Sequence, residues 1–371
     1  MTKSRNKGIT LIALVITIII LLILAGISIS TLTNQGLFKN AKVAQNATEK
    51  AEAEQGNILN EYEGEINKYL SNDGKTEEKL VDKVNDGTIK IGDYVKYTPD
   101  KASTDSILQE LGTYSGSNEN TTSTLTQESL NWRVLDVKDG QVRLISEVPT
   151  TSTITLSGYN GYNNAVKLID DTCNTLYSNS KLASKVQNLK IEDIQDKMVE
   201  TNYSNITADY GKKFTPVNKY YPNIVLKEKQ QKVNGAEGTK LDVSEQTELI
   251  NQTTKPQASS LEIKYTYWVK TMVTNDFKDS KYYELFINNG SNYDTYWMSS
   301  RCVDASSDGA AFRVRYVYSG NVDAIALGDS RGNEGPLAVT FRPVITLNSN
   351  VQIDTRNSRD GSTAEQAYII K

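Results

Sequence analysis

Apolar and polar positions change rhythm several times along the chain, and each change marks a segment. From Ile9 to Ile29 there is no charge, and only Thr10, Thr17, Gly26 and Ser28 interrupt the apolar run. A helix over 9–33 is long enough to cross a hydrocarbon core of ~30 Å. Beyond Thr33-Asn34-Gln35-Gly36, apolar or small residues recur at Leu37, Ala41, Ala44, Ala47, Ala51, Ile58, Tyr62, Ile66 and Tyr69. Their spacing, mostly three or four, predicts an amphipathic spine helix over 34–70, with Glu49, Lys50, Glu52, Glu54, Glu61, Glu63 and Glu65 on the other face. Residues 71–88 are polar and charged and read as a linker.

From residue 89 the pattern changes again. IKIGDYVKYTP has the β-branched and aromatic content of a strand. Residues 113–127 are rich in Ser, Thr, Gly and Asn and read as a loop. Trp132, Val134 and Val137 face Val142, Leu144 and Val148 across Asp139-Gly140, a hairpin signal. Between Asn163 and Met198 a helical stripe returns at Ala165, Leu168, Ile169, Cys173, Leu176 and Tyr177. A second short helix over Lys190–Glu200 opens on an acidic first turn. Residues 201–260 show no organising pattern. From Tyr265 strands are expected at TYWVKTMV, YYELFI, YWMSSRCV, AAFRVRYVYSG, VDAIAL and VTFRPVITL. The fold class is therefore α+β: a long N-terminal transmembrane helix, then a globular head over 89–371 built of short antiparallel strands with two or more helices.

Composition narrows the chemistry. The 371 residues are 38% hydrophobic, enough to bury a sizeable core, and the net charge of −4 argues against a broad nucleic-acid footprint. Histidine is absent. That removes the commonest general base, the commonest metal ligand and every His-dependent triad. None of the 45 acidic residues stands in a recognisable motif, so a surface enzyme acting on wall polymers is the weakest reading, and no catalytic residue, metal or cofactor is assigned. Tyrosine is abundant, 21 against 6 Phe; such residues either cover a core with their hydroxyls wet or form a binding surface. Cys173 and Cys302 are the only cysteines. Outside a membrane the pair is expected to form one disulfide, with two free thiols as the alternative.

Lys3, Arg5 and Lys7 precede the apolar run and no comparable basic cluster follows it closely. Charge bias therefore puts the first residues in the cytoplasm and the head outside, on a single-pass chain. A conventional secretory signal has a shorter apolar core and a cleavage site after it; here the informative junction, Lys7-Gly8-Ile9-Thr10-Leu11, lies before it. This junction resembles the class III signal of type IV pilins and pseudopilins. The resemblance implies that residues 1–8 are a leader, that a prepilin peptidase cuts between Gly8 and Ile9, and that the new N-terminus is methylated. It also implies other pilin-like subunits as partners. Glycine gives a peptidase close access to the backbone, which a plain anchor does not need. The family usually carries Glu at the fifth mature position, where this chain has Ala13, which points to a minor or tip subunit. A static membrane-anchored binding protein is the alternative.

In the head, Tyr296-Trp297 with Ser299-Ser300-Arg301, the stretch Phe312–Val317 and the closing Phe341-Arg342-Pro343-Val344 resemble the C-terminal half of C-type-lectin-like domains. Residues 92–95 (GDYV) and 131–137 (NWRVLDV) fit the start of the same domain. The nearest resemblance is to a group on surface proteins of clostridia and related Gram-positive bacteria, which implies an extracellular head that binds a protein or glycan. The calcium-holding tripeptides of the sugar-binding members, and their Trp-Asn-Asp stretch, are missing from this sequence, so calcium-dependent sugar binding is not expected. Two polar loops, 304–309 and 328–335, have paratope-like composition. They supply the candidate ligand-binding residues Ser306, Ser307, Asp308, Asp329, Arg331 and Asn333, with Tyr316 and Tyr318 as aromatic anchors; solvated loops without function are the plain alternative. Trp297, Arg301 and Arg342 are expected to hold the fold, the arginines through carboxylate or carbonyl partners.

Overall fold

The computed structural model describes residues 78–101, 105–117, 121–199, 220–221, 243–250, 257–258, 269–290, 293–306, 309–329, 333–354 and 358–371. All lie in the second of two units into which the chain divides, Glu61–Lys371. The leader 1–8, the apolar helix 9–33 and the spine 34–70 fall outside the described residues, as does most of 201–260. No described helix is long and apolar enough to cross a membrane.

The head is α+β, with short, mainly antiparallel strands and few helices. Five α-helices are described, besides two short 3₁₀ turns: α1 (Leu80–Asn85), α2 (Asp105–Thr113), α3 (Gly158–Tyr177), α4 (Ile191–Gln195) and α5 (Ser280–Phe286). The strands are β1 (Tyr94–Lys96), β2 (Trp132–Lys138), β3 (Gln141–Ser146), β4 (Thr153–Ser157), β5 (Ala183–Asn188), β6 (Tyr220–Tyr221) and β7 (Gln257–Ala258). They continue with β8 (Lys270–Thr271), β9 (Tyr296–Ser306), β10 (Gly309–Tyr318), β11 (Asn321–Asp329), β12 (Pro336–Thr340), β13 (Pro343–Leu347) and β14 (Tyr368–Ile369). One sheet runs β14-β1-β2-β3-β13-β5 and a second β8-β11-β10-β9, while β12 pairs with β4 and β6 with β7.

The Asp139-Gly140 hairpin forms as its sequence predicts. Asp139 and Gly140 take φ of 52° and 75°, the left-handed pair a two-residue turn needs to match strand twist. The first described segments of the head pack on its last ones: β1 pairs in parallel with β14, and Leu80 N donates to Val351 O at 2.9 Å. Residues 78–88, expected as linker, are therefore part of the head, with Leu80 buried.

Helix α3 is central to the described part of the head. It packs against β4, β5, β9 and β11, and its Tyr162, Ala165, Ile169, Cys173 and Leu176 are fully covered. Helical periodicity does not continue to Met198 as expected. Ser178 turns extended, Asn179 Oδ1 accepts from the N–H groups of Lys181 and Leu182, and the chain then enters β5 on the edge of β13. Pairing with β13 overrides local propensity here.

The YYELFI segment is a second correction, since it forms α5 rather than a strand. Asp279 caps it by accepting from Lys281 N at 2.8 Å, and Tyr282, Leu285 and Phe286, three and four apart, are its buried face. Two other expected strands are trimmed or divided. IKIGDYVKYTP pairs only at Tyr94–Lys96, because Gly92 turns with positive φ. VTFRPVITL divides into β12 and β13, which belong to different sheets.

Arg342 sits at that division and is fully buried. Its guanidinium donates to Asp294 Oδ2 at 2.6 Å, to Ser146 O and to Glu147 O, and lies 5.3 Å from the Tyr296 ring centre. Arg301 donates to Asn163 O on α3 at 2.7 Å. Both meet the partner requirement of a buried guanidinium. Trp297 is likewise enclosed, with its indole N–H donating to Ile154 O at 2.9 Å.

The expected disulfide is not formed: Cys173 and Cys302 are both free and buried. Strand alternation gives the reason. On β9, Arg301 reaches α3, whereas Ser300 meets Ser244 and the N–H of Ile191. Cys302 lies on the Ser300 face, away from the helix that carries Cys173.

Candidate functional site

Strands β9, β10 and β11 form two hairpin connections at opposite ends, and this separates the residues that the sequence grouped. Gly309 pairs with Ser306 and Ala311 with Asp329, so the loops at 304–309 and 328–335 share one end of the sheet. Tyr318 pairs with Asn321 at the other end, roughly 23 Å away by strand rise. Ser307, Asp308 and Arg331 lie outside the described residues. Asp329 and Asn333 are committed to each other: the Asp329 carboxylate accepts from Asn333 N at 3.0 Å and from its side-chain amide at 2.7 Å. The Tyr159 hydroxyl donates to Asp329 O. These contacts tie Asp329 and Asn333 together and hold Asp329 against the start of α3.

The tyrosines form a different surface. Tyr316 and Tyr318, two apart on β10, stack with ring centres 5.7 Å apart and planes at 20°. Tyr316 is half-buried against Trp297, at 6.1 Å, while Tyr318 is 53% exposed. The β10–β11 turn is again left-handed, Ser319 at φ 49° and Gly320 at 83°. Gly320 is required for a second reason, because a Cβ there would meet the Tyr293 ring at 2.9 Å. Large hydrophobic side chains stand exposed at Ile107, Val148, Val269, Val273, Tyr293 and Tyr318. The last four gather around this one turn: Met272 N, beside Val273, bonds Gly320 O at 2.9 Å, and β8, which follows Val269, pairs with Asn321 and Val322. Tyr293, Val269 and Val273 went unread in the sequence because they reach the turn from distant segments.

Elsewhere on the head, an open concavity of about 330 Å³ lies between α3 and β5, with Glu245 and Gln246 also in its lining. Lys190 donates to Ser244 O at 2.5 Å and to Glu245 at 3.1 Å, and stands 3.5 Å from Asp170. Lys167 pairs with Asp171 at 2.9 Å. Burial pushes the Asp170 carboxyl up to about 6 against the opposing Lys190 charge and the donors Ser299 and Asn188 N–H. For Lys190 burial pulls down, and the Asp170 and Glu245 charges more than offset it. Among the described residues no group of three or more Cys, Asp and Glu side chains is placed to hold a metal ion.

The Asp170 shift has a stability consequence. Its folded value, about 6, lies above the ordinary 3.8. The stability it contributes is therefore present below pH ~4 and lost as pH rises through ~6. Asp170→Asn removes that loss, so its stability relative to wild type is expected to improve by about 2 kcal/mol between pH 4 and pH 7.5. Urea unfolding at both values measures this; a pH-independent difference would refute the assignment.

Comparison with known families, curated proteins and solved structures gives no match.

Proposed function

We propose that this chain is a type IV pilin-like or pseudopilin-like surface protein, a minor or tip subunit, whose lectin-like extracellular head binds a protein or polysaccharide through the tyrosine edge. The observation that carries the binding assignment is the gathering of Tyr293, Tyr318, Val269 and Val273 around one turn. Scattered exposed hydrophobics are normal on a protein surface; here two tyrosines and two valines stand near one turn, on either side of the Thr271–Asn321 hydrogen bond, and exposed tyrosine is a common anchor of recognition surfaces. The pilin-like reading rests on Lys7-Gly8-Ile9 and the apolar run after it. A head held outside the membrane has macromolecules as its natural partners. Relative to the expectation from sequence, the site shifts: Tyr316 and Tyr318 stay in it, Tyr293 joins it, and the loops around Ser306 and Asn333 leave it.

One observation favours a second reading, a static anchored binder that never enters a filament. Ala13 supplies no carboxylate for a neighbour's amino terminus, a charge pair that would be strong in low dielectric.

The binding test uses the full chain on glycan and surface-protein arrays in the presence of a calcium chelator. Binding is expected to persist, since no calcium-holding tripeptide exists. Tyr318→Ala and Tyr293→Ala are each expected to weaken it by more than about fivefold, as loss of an aromatic anchor does, with unchanged melting temperature. Normal binding by both variants, together with loss in Asn333→Ala, would move the site to the loop end.

A further inference from the structure

Residues 243–250 lie across α3 and the edge of β9, held by a run of polar contacts. Val243 pairs with Arg301 through both backbone groups, at 2.8 and 2.9 Å, and the Ser244 and Ser300 hydroxyls are 2.7 Å apart. Gln246 reaches into α3 itself. Its side-chain oxygen accepts from Lys167 N at 3.1 Å, while Asn163 O, the partner that this N–H has in a regular helix, accepts from Arg301 at 2.7 Å. The Asn164 amide holds Ile250 at both backbone groups, accepting from its N–H and donating to its carbonyl at 2.6 Å each.

We propose that residues 244–250 form a pH-responsive strap: Lys190 clamps it to the head in acid, and ionised Asp170 draws that lysine away near neutral pH, so that the strap loosens. The geometry is that of one ammonium shared between the strap and the helix beneath it. Lys190 Nζ donates to Ser244 O at 2.5 Å and to Glu245 at 3.1 Å, whereas Asp170 on α3 stands back at 3.5 Å. A neutral carboxyl at that distance competes weakly for the ammonium. A carboxylate competes by charge.

The groups facing Asp170 come from every element around it. Lys185 and the Asn188 N–H belong to β5, the Ser299 hydroxyl to β9, and Lys190 follows β5. Cys173 lies three residues on along α3, and Glu245 of the strap is across Lys190. The neighbouring Lys167 and Asp171 pair with each other. Burial raises the Asp170 carboxyl from 3.8 to about 6 in this closed arrangement. The hold is therefore complete below pH ~4 and is lost as pH rises through ~6. If release of the strap returns Asp170 to its ordinary value, the opening equilibrium rises at most about tenfold between pH 5 and pH 7.5.

Hydrogen exchange of the full-length chain, read by mass spectrometry at those two pH values and corrected for intrinsic rates, tests this. Amides of 245–250 are expected to exchange at least about tenfold faster than those of 142–145 in β3 at both values, since the strap opens without the whole fold. Their protection is expected to fall about three- to tenfold at pH 7.5. Asp170→Asn is expected to remove the pH dependence, and Gln246→Ala to speed strap exchange at both values. If Asp170→Asn fails to fold, the wild-type ratio and the comparison with β3 decide. Strap protection equal to that of β3, no change or a rise in protection with pH, an unchanged ratio in Asp170→Asn, or unaltered exchange in Gln246→Ala would each overturn the proposal. The strap is separate from the tyrosine edge, so its failure leaves the binding assignment standing.

Discussion

Arg342→Ala is expected to destabilise the head by about 3–5 kcal/mol, the range for removing one partner of a buried ion pair. Arg342 has no exposed surface, and its side chain joins Asp294 to the carbonyls of Ser146 and Glu147 at the point where the chain passes from β12 to β13. Its loss strands a buried carboxylate and leaves two carbonyls short of a donor. Arg342→Lys is expected to rescue little, because a point ammonium cannot reach several acceptors in a planar fork. The double variant Arg342→Met with Asp294→Leu is expected to recover a large part of the loss, since it removes the stranded charge as well. Urea unfolding of the four proteins, followed by circular dichroism, measures the set. Full stability in Arg342→Ala would show that this cluster does not hold the sheets together.

Trp297→Ala is expected to cost a similar ~3–5 kcal/mol by opening a cavity at the meeting of β9, β4 and the Tyr316 ring. Trp297→Phe separates packing from hydrogen bonding. It keeps most of the apolar volume but leaves Ile154 O without its indole donor, for an expected ~1–3 kcal/mol. The same unfolding experiment reads both. Equal stability of Trp297→Ala and wild type would mean that the side chain is not the core element that its burial implies.

Both residues were legible in the sequence, because a tryptophan in an alternating strand and an arginine inside FRPV have few exposed alternatives. The Asp139-Gly140 hairpin was legible for the same reason: turn chemistry is local, and the pair needs positive φ. What failed was wherever a distant partner decided. The segment ASKVQN becomes β5 only because β13, more than a hundred residues later, offers an edge. YYELFI carried its own helical signal in the Asp279 cap and the Tyr282, Leu285, Phe286 spacing, but aromatic content outweighed it.

The site followed the same rule. Tyr316 and Tyr318 were visible as an i, i+2 pair, whereas Tyr293, Val269 and Val273 join them only through the fold. The loops at 304–309 and 328–335 had the right composition for recognition, yet strand register puts them at the far end of the sheet from the tyrosines. The lining of the concavity had no sequence signature at all: Glu245 and Gln246 meet Asp170, Lys185 and Gln187 only in three dimensions.

The central claim, that this is a pilin-like protein carried to the surface through its N-terminal junction, is tested most directly by the N-terminal mass of the protein taken from its native membrane. The account predicts a chain that begins at Ile9, with Met1–Gly8 removed and the new amino group methylated, and predicts that Gly8→Val blocks the removal by crowding the scissile bond. A wild-type chain that keeps Met1–Gly8 in cells with an active prepilin peptidase would contradict it.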